Sequence, residues 1–371
     1  MCKTSKKNVW FPEPEFSDPT FANHNEHILD WLTRSTAQKA VYYRKVLNYN
    51  LRMVPKKLRD NFLNSARNQW KSNIFELIVA RLLQELDAQL KIEKSNRSGK
   101  KPDFLAKFHD GKITVEATAP EFDQEIRQKV KERDPLLAIM ESIIPDGLIG
   151  EVFELPKLGP SDSKRYFKKI VTDLFAEAEL LQNENSMARE IKIDSGTLKI
   201  IIRKTKSGTR KIRYLGVDAL FDQSEKKIKN AGKYKEKQVS GSKFPVILAI
   251  NASGFVSNWE DFDSALFGYS FDILDQKLRK IGNDFNMNGY LLSQYKESPI
   301  YAGVLAFVYV DIPYGNDPVL YRNPFFKEKL PSAIETLEQR CFDLKSKKIY
   351  TVPSKNANIM EKLRTDALNS K

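Results

Sequence analysis

The chain has 371 residues, 41% hydrophobic and 11% aromatic, which supplies a sizeable core and excludes a disordered or fibrous protein. Its formal net charge is +13, from 61 basic and 48 acidic residues, and this excess favours a polyanionic partner. Two cysteines are too few for a disulfide framework, and no apolar run has the length of a signal peptide or a membrane span, so we expect a cytoplasmic protein without membrane contact.

The first part of the chain, residues 1–65, is predicted to form an N-terminal helical extension. Three prolines predict irregular structure over about the first 20 residues, and the spacing of apolar residues then predicts a helix from about His27 to Leu51. The tyrosines and basic residues at 42–45 could contact nucleic acid, but a helix that packs its aromatic side chains inward accounts for them better.

The clearest helical pattern covers residues 73–88. Asn73 fits the N-cap position, and Glu76 stands three residues later, as in a capping box. The pattern is apolar around most of the helix, so we expect the helix to be buried. A glutamate flanked by Phe75 and Leu77 in such a helix needs a partner or a metal ion.

A hairpin is predicted from Lys101 to Thr118, where KPDFLAKFHDGKITVEAT has an Asp-Gly pair between two apolar runs. Strand alternation puts Asp103 and Glu116 on the faces opposite to the apolar residues. The hairpin could therefore bring both carboxylates together at one edge of a sheet. Such a pair suits Mg²⁺, which binds one or two carboxylates and keeps several waters, so we predict a Mg²⁺ site with Asp103 and Glu116 as ligands, in which Mn²⁺ could substitute.

The segment after this hairpin is predicted to leave the sheet. A polar helix is expected over residues 119–134, and four prolines predict irregular structure over 135–160. Helical spacing returns from Lys164 to Asn183.

A second predicted hairpin is strongly basic, with the arms TLKIIIRK and RKIRYLGV around a Lys-Ser-Gly-Thr turn. Its candidate nucleic-acid-binding residues are Arg203, Lys204, Lys206, Arg210, Lys211 and Arg213. Such residues can hold a phosphate backbone, or they can guard a solvated edge strand. From 203 to 243 there are 13 Lys and Arg against 4 Asp and Glu, a local excess that favours binding.

Two nearly continuous apolar runs, at 244–251 and 301–312, predict fully buried strands. The first follows a lysine-rich segment, 217–238, that is predicted to be helical. A buried strand reached through a helix implies a crossover connection and a layered α/β core. A helix around 332–344 and a basic tail complete a C-terminal extension, residues 313–371.

The order of these elements resembles the core of the PD-(D/E)XK nuclease superfamily, which includes restriction endonucleases. The features that match are a buried helix bearing Glu76, a strand, Pro102-Asp103, Glu116-Ala117-Thr118, and then a helix and a buried strand. The resemblance covers about residues 73–251, with an insertion at about 135–214.

This resemblance implies a restriction-endonuclease-like α/β/α core with a mixed central sheet over residues 66–312. In that core Asp103 and Glu116 would hold a divalent metal, and Glu76 would be an auxiliary catalytic acid. The chain departs from the superfamily at Thr118, where a lysine is usual. A lysine stabilises developing negative charge, whereas threonine offers only a neutral hydroxyl.

Two explanations of this departure remain open. A lysine of the following helix could reach the same space, with Lys229 and Lys233 as the candidates. Alternatively, the site has lost its chemistry and only binds.

The function implied by the resemblance is a Mg²⁺-dependent endonuclease that hydrolyses DNA phosphodiester bonds, with a role in defence against foreign DNA. The rival functions are a non-catalytic nucleic-acid-binding subunit that keeps the fold, and a scaffold whose carboxylates are structural. A homodimer and a partner protein in a defence complex are both open. Histidine spacing does not suit zinc, and neither a P-loop nor a GxSxG turn is present.

Overall fold

The computed structural model of the chain describes residues 9–20, 22–24, 26–92, 102–120, 124–157, 161–180, 186–193, 196–204, 212–215, 224–252, 258–274, 280–293, 299–308 and 315–370. The protein is a mixed α/β structure with two compact units. Unit 1 comprises residues 1–10, 45–121 and 222–371, and unit 2 comprises residues 11–44 and 122–221. The insertion predicted at about 135–214 lies within unit 2.

The helices are α1 (Ile28–Arg34), α2 (Gln38–Met53), α3 (Lys56–Ser65), α4 (Trp70–Glu85), α5 (Gln124–Ile143), α6 (Ser161–Glu179), α7 (Ser224–Val239), α8 (Trp259–Leu266), α9 (Tyr290–Ser293) and α10 (Ile359–Asn369). The strands are β1 (Gln89–Lys91), β2 (Phe104–Lys107), β3 (Lys112–Thr118), β4 (Leu148–Glu154), β5 (Ser186–Ile193), β6 (Gly196–Lys204), β7 (Ile212–Tyr214), β8 (Val246–Asn251), β9 (Tyr269–Leu274), β10 (Lys280–Asn286), β11 (Gly303–Phe307), β12 (Val319–Arg322), β13 (Glu338–Asp343) and β14 (Lys348–Val352). Within the described ranges, no helix is both long enough and apolar enough to cross a membrane.

Unit 1 contains a mixed sheet of eight strands in the order β1-β2-β3-β8-β11-β12-β13-β14. Strands β3, β8 and β11 are parallel and form its centre, while β2 and β12 flank them in antiparallel pairs. The buried strands predicted at 244–251 and 301–312 are confirmed as β8 and β11, whose residues are all buried, while residues 309–312 of the second prediction lie outside the described residues. Their runs lack polar alternation because both faces of the sheet are covered.

Helices α4 and α7 cover opposite faces of this sheet. Phe75 of α4 packs edge to face on Phe307 of β11, with 5.0 Å between the ring centroids. On the other face, Thr114 Oγ1 of β3 lies 2.8 Å from the Oγ of Ser242, just after α7. The buried helix predicted from the apolar pattern at 73–88 is confirmed as α4, but it begins at Trp70. The expected capping box is therefore wrong.

Two segments differ from their sequence predictions. The second half of the range 332–344, predicted to be helical, is strand β13, which pairs with β12 and β14, and a short 3₁₀ helix, Ile334–Thr336, precedes it. Strand preference depends on the neighbouring strands, so sheet pairing overrides the local helical spacing here. The irregular structure predicted over 135–160 is wrong for most of this range, because α5 continues past Pro135 to Ile143 and β4 follows, while residues 158–160 lie outside the described residues.

Unit 2 contains a four-stranded sheet in the order β5-β6-β4-β7. Its core lies between this sheet and the helices α5 and α6, and includes Leu137, Met140, Phe167, Phe175 and Ile200. The helix predicted at 164–183 is confirmed as α6, which begins at Ser161 and ends at Glu179, while residues 181–183 lie outside the described residues.

The basic hairpin predicted in this region is not formed. Strand β6 pairs antiparallel with β5 and β4, whereas β7 pairs parallel with β4. The two predicted arms are therefore separated by β4, a strand that lies about fifty residues earlier in the chain than its partners. A turn signal describes only the local chain, so it could not show that a distant strand enters between the arms.

We expect Phe75→Ala to lower the free energy of unfolding by about 3 to 5 kcal/mol, because it leaves a cavity under the central sheet. The control is Phe271→Ala, since Phe271 is 42% exposed on β9. Its effect should stay below about 1 kcal/mol. Urea unfolding of both variants measures the difference, and equal losses would contradict the packing described for α4.

Candidate functional site

Asp103 and Glu116 are brought together by the predicted hairpin, which is confirmed as β2 and β3. Asp103 lies just before β2, next to Glu116 of β3. The backbone N–H of Asp103 donates a hydrogen bond to Glu116 Oε2 at 3.3 Å, and the N–H of Ala117 donates one to Asp103 Oδ2 at 2.8 Å. These bonds across the hairpin hold both carboxylates at the same end of the two strands.

Glu116 is an interior residue. Strand β3 lies between β2 and β8, not at the sheet edge, and the side chain of Glu116 is completely buried. The polar face that the alternation predicted for β3 is covered by α7, so Glu116 and Thr114 do not reach solvent. A buried carboxylate is costly unless it is paired, so the structure must supply a partner.

The partner of Glu116 is Lys235 of α7. Its Nζ donates to Glu116 Oε1 and lies 3.4 Å from Gln238 Oε1. The two lysines singled out from the sequence lie elsewhere: Lys229 donates to Glu225 at 2.6 Å, and Lys233 is exposed. A lysine of the helix α7 therefore does reach the carboxylates, but it is Lys235 and not Lys229 or Lys233.

Helical spacing could have identified Lys235. It stands four residues after Ala231 and four before Val239, and both of these residues are buried against the core. Lys235 thus belongs to the inward-facing stripe of α7, whereas Lys233 lies on the exposed side. Because α7 contains several lysines, their number alone does not show which of them faces the core.

Close packing at Gly232 fixes α7 against its neighbours. A Cβ at Gly232 would lie 2.7 Å from Tyr290 Cε1, so only glycine fits there. The hydroxyl of Tyr301 donates to the Gly232 carbonyl at 3.0 Å, and that of Tyr290 donates to Glu236 at 2.6 Å. These contacts hold the turn of the helix from which Lys235 extends.

Glu76 reaches the same cluster from α4. Its charge interacts with those of Asp103 and Lys235, although no hydrogen bond to its carboxylate is recorded among the described residues. The sequence prediction that Glu76, Asp103 and Glu116 share a site therefore agrees with the geometry.

Burial dominates the electrostatics of this cluster. Burial and then the charge of Asp103 raise the pKa of Glu76 to about 8, and the same two causes raise the pKa of Glu116 to about 8. Burial also raises the pKa of Asp103. For Lys235, burial lowers the pKa, but Glu116 and Asp103 outweigh this and raise it above its ordinary value. Three carboxyl groups thus share one ammonium group.

The carboxylate oxygens of this cluster meet some of the requirements of a hard divalent cation. In the part of the chain that is described, no three or more His, Cys, Asp or Glu side chains are arranged as ready metal ligands. Mg²⁺, however, needs only one or two protein carboxylates, and Asp103 and Glu116 are adjacent. Since Lys235 already binds Glu116 Oε1, a cation would have to share that carboxylate with the ammonium group.

The remaining predicted site residues lie as follows. Thr118, in the position usual for lysine, ends β3 and is half-buried beside β8. In unit 2, Arg203 donates to Glu151 at 2.9 Å, and Lys204 and Arg213 are exposed on β6 and β7. Lys206, Arg210 and Lys211 lie outside the described residues.

Comparison of the chain with protein-family models, with curated proteins and with solved structures finds no significant match. A functional assignment therefore depends on the residues and geometry of the site itself.

The raised pKa of Glu76 predicts a pH-dependent effect of Glu76→Gln in metal-free protein. The folded state holds a proton that the unfolded state releases between pH 4.5 and 8, so ionisation of Glu76 removes stability as the pH rises through that window. The free energy of unfolding of the variant should therefore exceed that of wild type by on the order of 1 to 3 kcal/mol at about pH 8.5. Near pH 4.5 the two values should be almost equal.

Urea unfolding in EDTA at both pH values measures this gain. Glu328→Gln is the control, because Glu328 is exposed and should show no such difference. Equal effects of Glu76→Gln at the two pH values would contradict the described electrostatics.

Proposed function

We propose that the protein is a divalent-metal-dependent endonuclease that hydrolyses DNA phosphodiester bonds, with a core of the restriction-endonuclease-like PD-(D/E)XK type. The observation that carries this proposal is the pairing of Lys235 with Glu116, in a cluster that also contains Asp103 and Glu76. The cluster supplies the three acidic side chains and the lysine that the resemblance requires, although the lysine comes from α7 and not from position 118.

The order of the elements supports the same proposal. Helix α4 with Glu76 precedes the hairpin of β2 and β3, and α7 then leads to β8, which pairs parallel with β3. The resemblance depends on this same order, and the second segment of unit 2, residues 122–221, is inserted between β3 and α7. The insertion leaves the cluster intact because all four of its residues belong to unit 1.

Lys235 accounts for the threonine at position 118. A lysine at position 118 would extend from the end of β3, whereas Lys235 extends from α7 toward the carboxylate two residues earlier in the same strand. The ammonium group that the superfamily usually draws from the strand is thus supplied by the helix. This favours a surviving site over one that has lost its chemistry.

The residues of the cluster have distinct roles in the proposed reaction. Asp103 and Glu116 would hold the cation, which when bound lowers the pKa of a water molecule and stabilises charge on the phosphate. Lys235 stabilises the negative charge that develops on the phosphate as the bond breaks. Burial raises the pKa of Glu76 to about 8, so its carboxyl group is largely protonated near neutral pH and is suited to donate a proton as an auxiliary acid.

A non-catalytic nucleic-acid-binding subunit is the second candidate. The observation in its favour is that Lys235 already neutralises Glu116, while the described residues include no ready set of three metal ligands. A cation–carboxylate pair of this kind can stabilise the fold without any metal.

We place the activity in the cytoplasm, since the chain has only two cysteines. Its role in defence against foreign DNA is proposed by analogy with the family.

We expect the purified protein to cleave plasmid DNA with Mg²⁺ or Mn²⁺ and to be inactive in EDTA. Asp103→Asn and Glu116→Gln should each lower the cleavage rate at least about a hundredfold, because the cation loses a charged ligand. Gel analysis of the products measures the rate. Cleavage that survives both substitutions would exclude this site, and binding without cleavage under any metal would favour the second candidate.

Three lysines of α7 provide a matched test of the ammonium group. Lys235→Ala should lower the cleavage rate at least about a hundredfold through lost charge stabilisation. Lys229→Ala and Lys233→Ala should stay close to wild type, because neither side chain reaches the carboxylates. Calorimetry with Mn²⁺ should show that Lys235→Ala still binds the metal. A loss of activity in all three variants would indicate a general effect of positive charge on α7.

A further inference from the structure

Helix α6 of unit 2 carries positive charge that the proposed active site does not use. Its first half has four exposed cationic side chains, Lys164, Arg165, Lys168 and Lys169, which we call the α6 cation cluster. Tyr166, between them, is 58% exposed. Across the part of unit 2 that the structure describes, none of the four forms an ion pair.

The four cations of α6 repel one another. Lys164 and Lys168, like Arg165 and Lys169, are like charges four residues apart, which repel each other on a helix surface. Asp173, four residues after Lys169, can weaken only the second of these repulsions. An anionic partner bound along this face would relieve the repulsion that is left.

The basic residues on the sheet of unit 2 differ from those of α6. Arg203 pairs with Glu151, and Lys199 lies within 3.2 Å of Glu154 and 3.7 Å of Glu190. Their charge is largely neutralised by neighbours on the same sheet. Among the described residues of these strands, Arg203 and Lys199 thus have acidic partners, whereas the four cations of α6 have none in the described part of unit 2.

The α6 cation cluster matches the charge density of a nucleic-acid backbone. Its four cations occupy six consecutive residues, a rise of about 7.5 Å along the helix axis. Duplex DNA carries one negative charge per about 1.7 Å, so the same length presents about four phosphates. An anionic membrane suits this helix less well, because its apolar side, with Phe167, Val171 and Phe175, is buried in the core and cannot enter lipid.

We propose that the α6 cation cluster is a docking surface for duplex DNA, which it contacts through the phosphates and not through the bases. The proposal does not require hydrolysis at Glu116, and it holds for an endonuclease and for a binding subunit alike. Tyr166 adds an aromatic ring at the centre of the surface.

The test is binding of the full chain to a fluorescent duplex of about 30 base pairs, followed by anisotropy in EDTA between about 50 and 200 mM salt. One variant combines Lys164→Gln, Arg165→Gln, Lys168→Gln and Lys169→Gln. The matched control combines Lys199→Gln, Arg203→Gln, Lys204→Gln and Arg213→Gln, which removes the same charge from the sheet of the same unit.

The α6 variant should bind at least about tenfold more weakly at 100 mM salt, and the slope of log K against log salt should become shallower by about 2 to 4. The sheet variant should change affinity less than about threefold. Equal losses in the two variants would overturn the proposal, as would a wild-type protein that binds phosphatidylserine vesicles but not the duplex.

Replacement of the three lysines of the cluster by arginine keeps the charge and should retain binding, and loss of binding in this variant would also overturn the proposal. If the fourfold α6 variant lacks the wild-type circular dichroism spectrum, the pair Arg165→Gln and Lys169→Gln is used, with about half the change in slope expected.

Cleavage assays with Mg²⁺ separate the proposed endonuclease activity from the proposed docking surface. Duplex binding through α6 without cleavage removes only the proposed hydrolysis, and cleavage that is unaffected by the α6 substitutions removes only the docking surface.

Discussion

The buried ion pair between Glu116 and Lys235 is the interaction on which unit 1 depends most directly. Glu116 lies in the middle of the central sheet with no exposed side-chain surface, so its negative charge must be balanced from within the protein. Only a cation on the helix covering that face can reach it, which fixes how α7 packs on β3. Loss of one partner of such a pair usually costs about 3 to 5 kcal/mol, because the other charge stays buried. The pair thus joins the architecture of the sheet to the chemistry of the site.

The cluster around this pair is short of positive charge. Glu76, Asp103 and Glu116 share one ammonium group, and burial raises the pKa of all three carboxyl groups. Two of the three carboxyl groups therefore have no cation of their own within the cluster, and their burial costs stability unless they hold a proton or share a further cation. Metal binding at such a set would relieve the mutual repulsion and release protons. The proposed metal site would thus use an electrostatic feature that the fold itself creates.

Local patterns predicted the parts of the structure in which local and tertiary preferences agree. The Asp-Gly hairpin and the buried runs of β8 and β11 were found because period and turn residues point to the same element. The helix predicted at 332–344 is wrong from Glu338 onward, because pairing with β12 and β14 on its two sides stabilises β13, and the spacing of apolar residues within the segment does not show this pairing. Asp103 and Glu116 are predictable from the hairpin pattern, and Glu76 from its place in an apolar helix. The role of Lys235 is not predictable from the number of lysines in α7, since it depends on which side of the helix faces β3.

The insertion of unit 2 between β3 and α7 has a consequence for the synthesis of the chain. Glu116 and Lys235 are 119 residues apart in sequence, and all of unit 2 after residue 121 is made between them. At about 5 to 20 residues per second, the ribosome needs several seconds to add this segment. Throughout that time the nascent chain contains the three acids of the cluster but not the lysine, so the first half of unit 1 cannot complete its core. A chain truncated by premature termination within residues 122–221 would accordingly carry every proposed metal ligand and still lack a finished site.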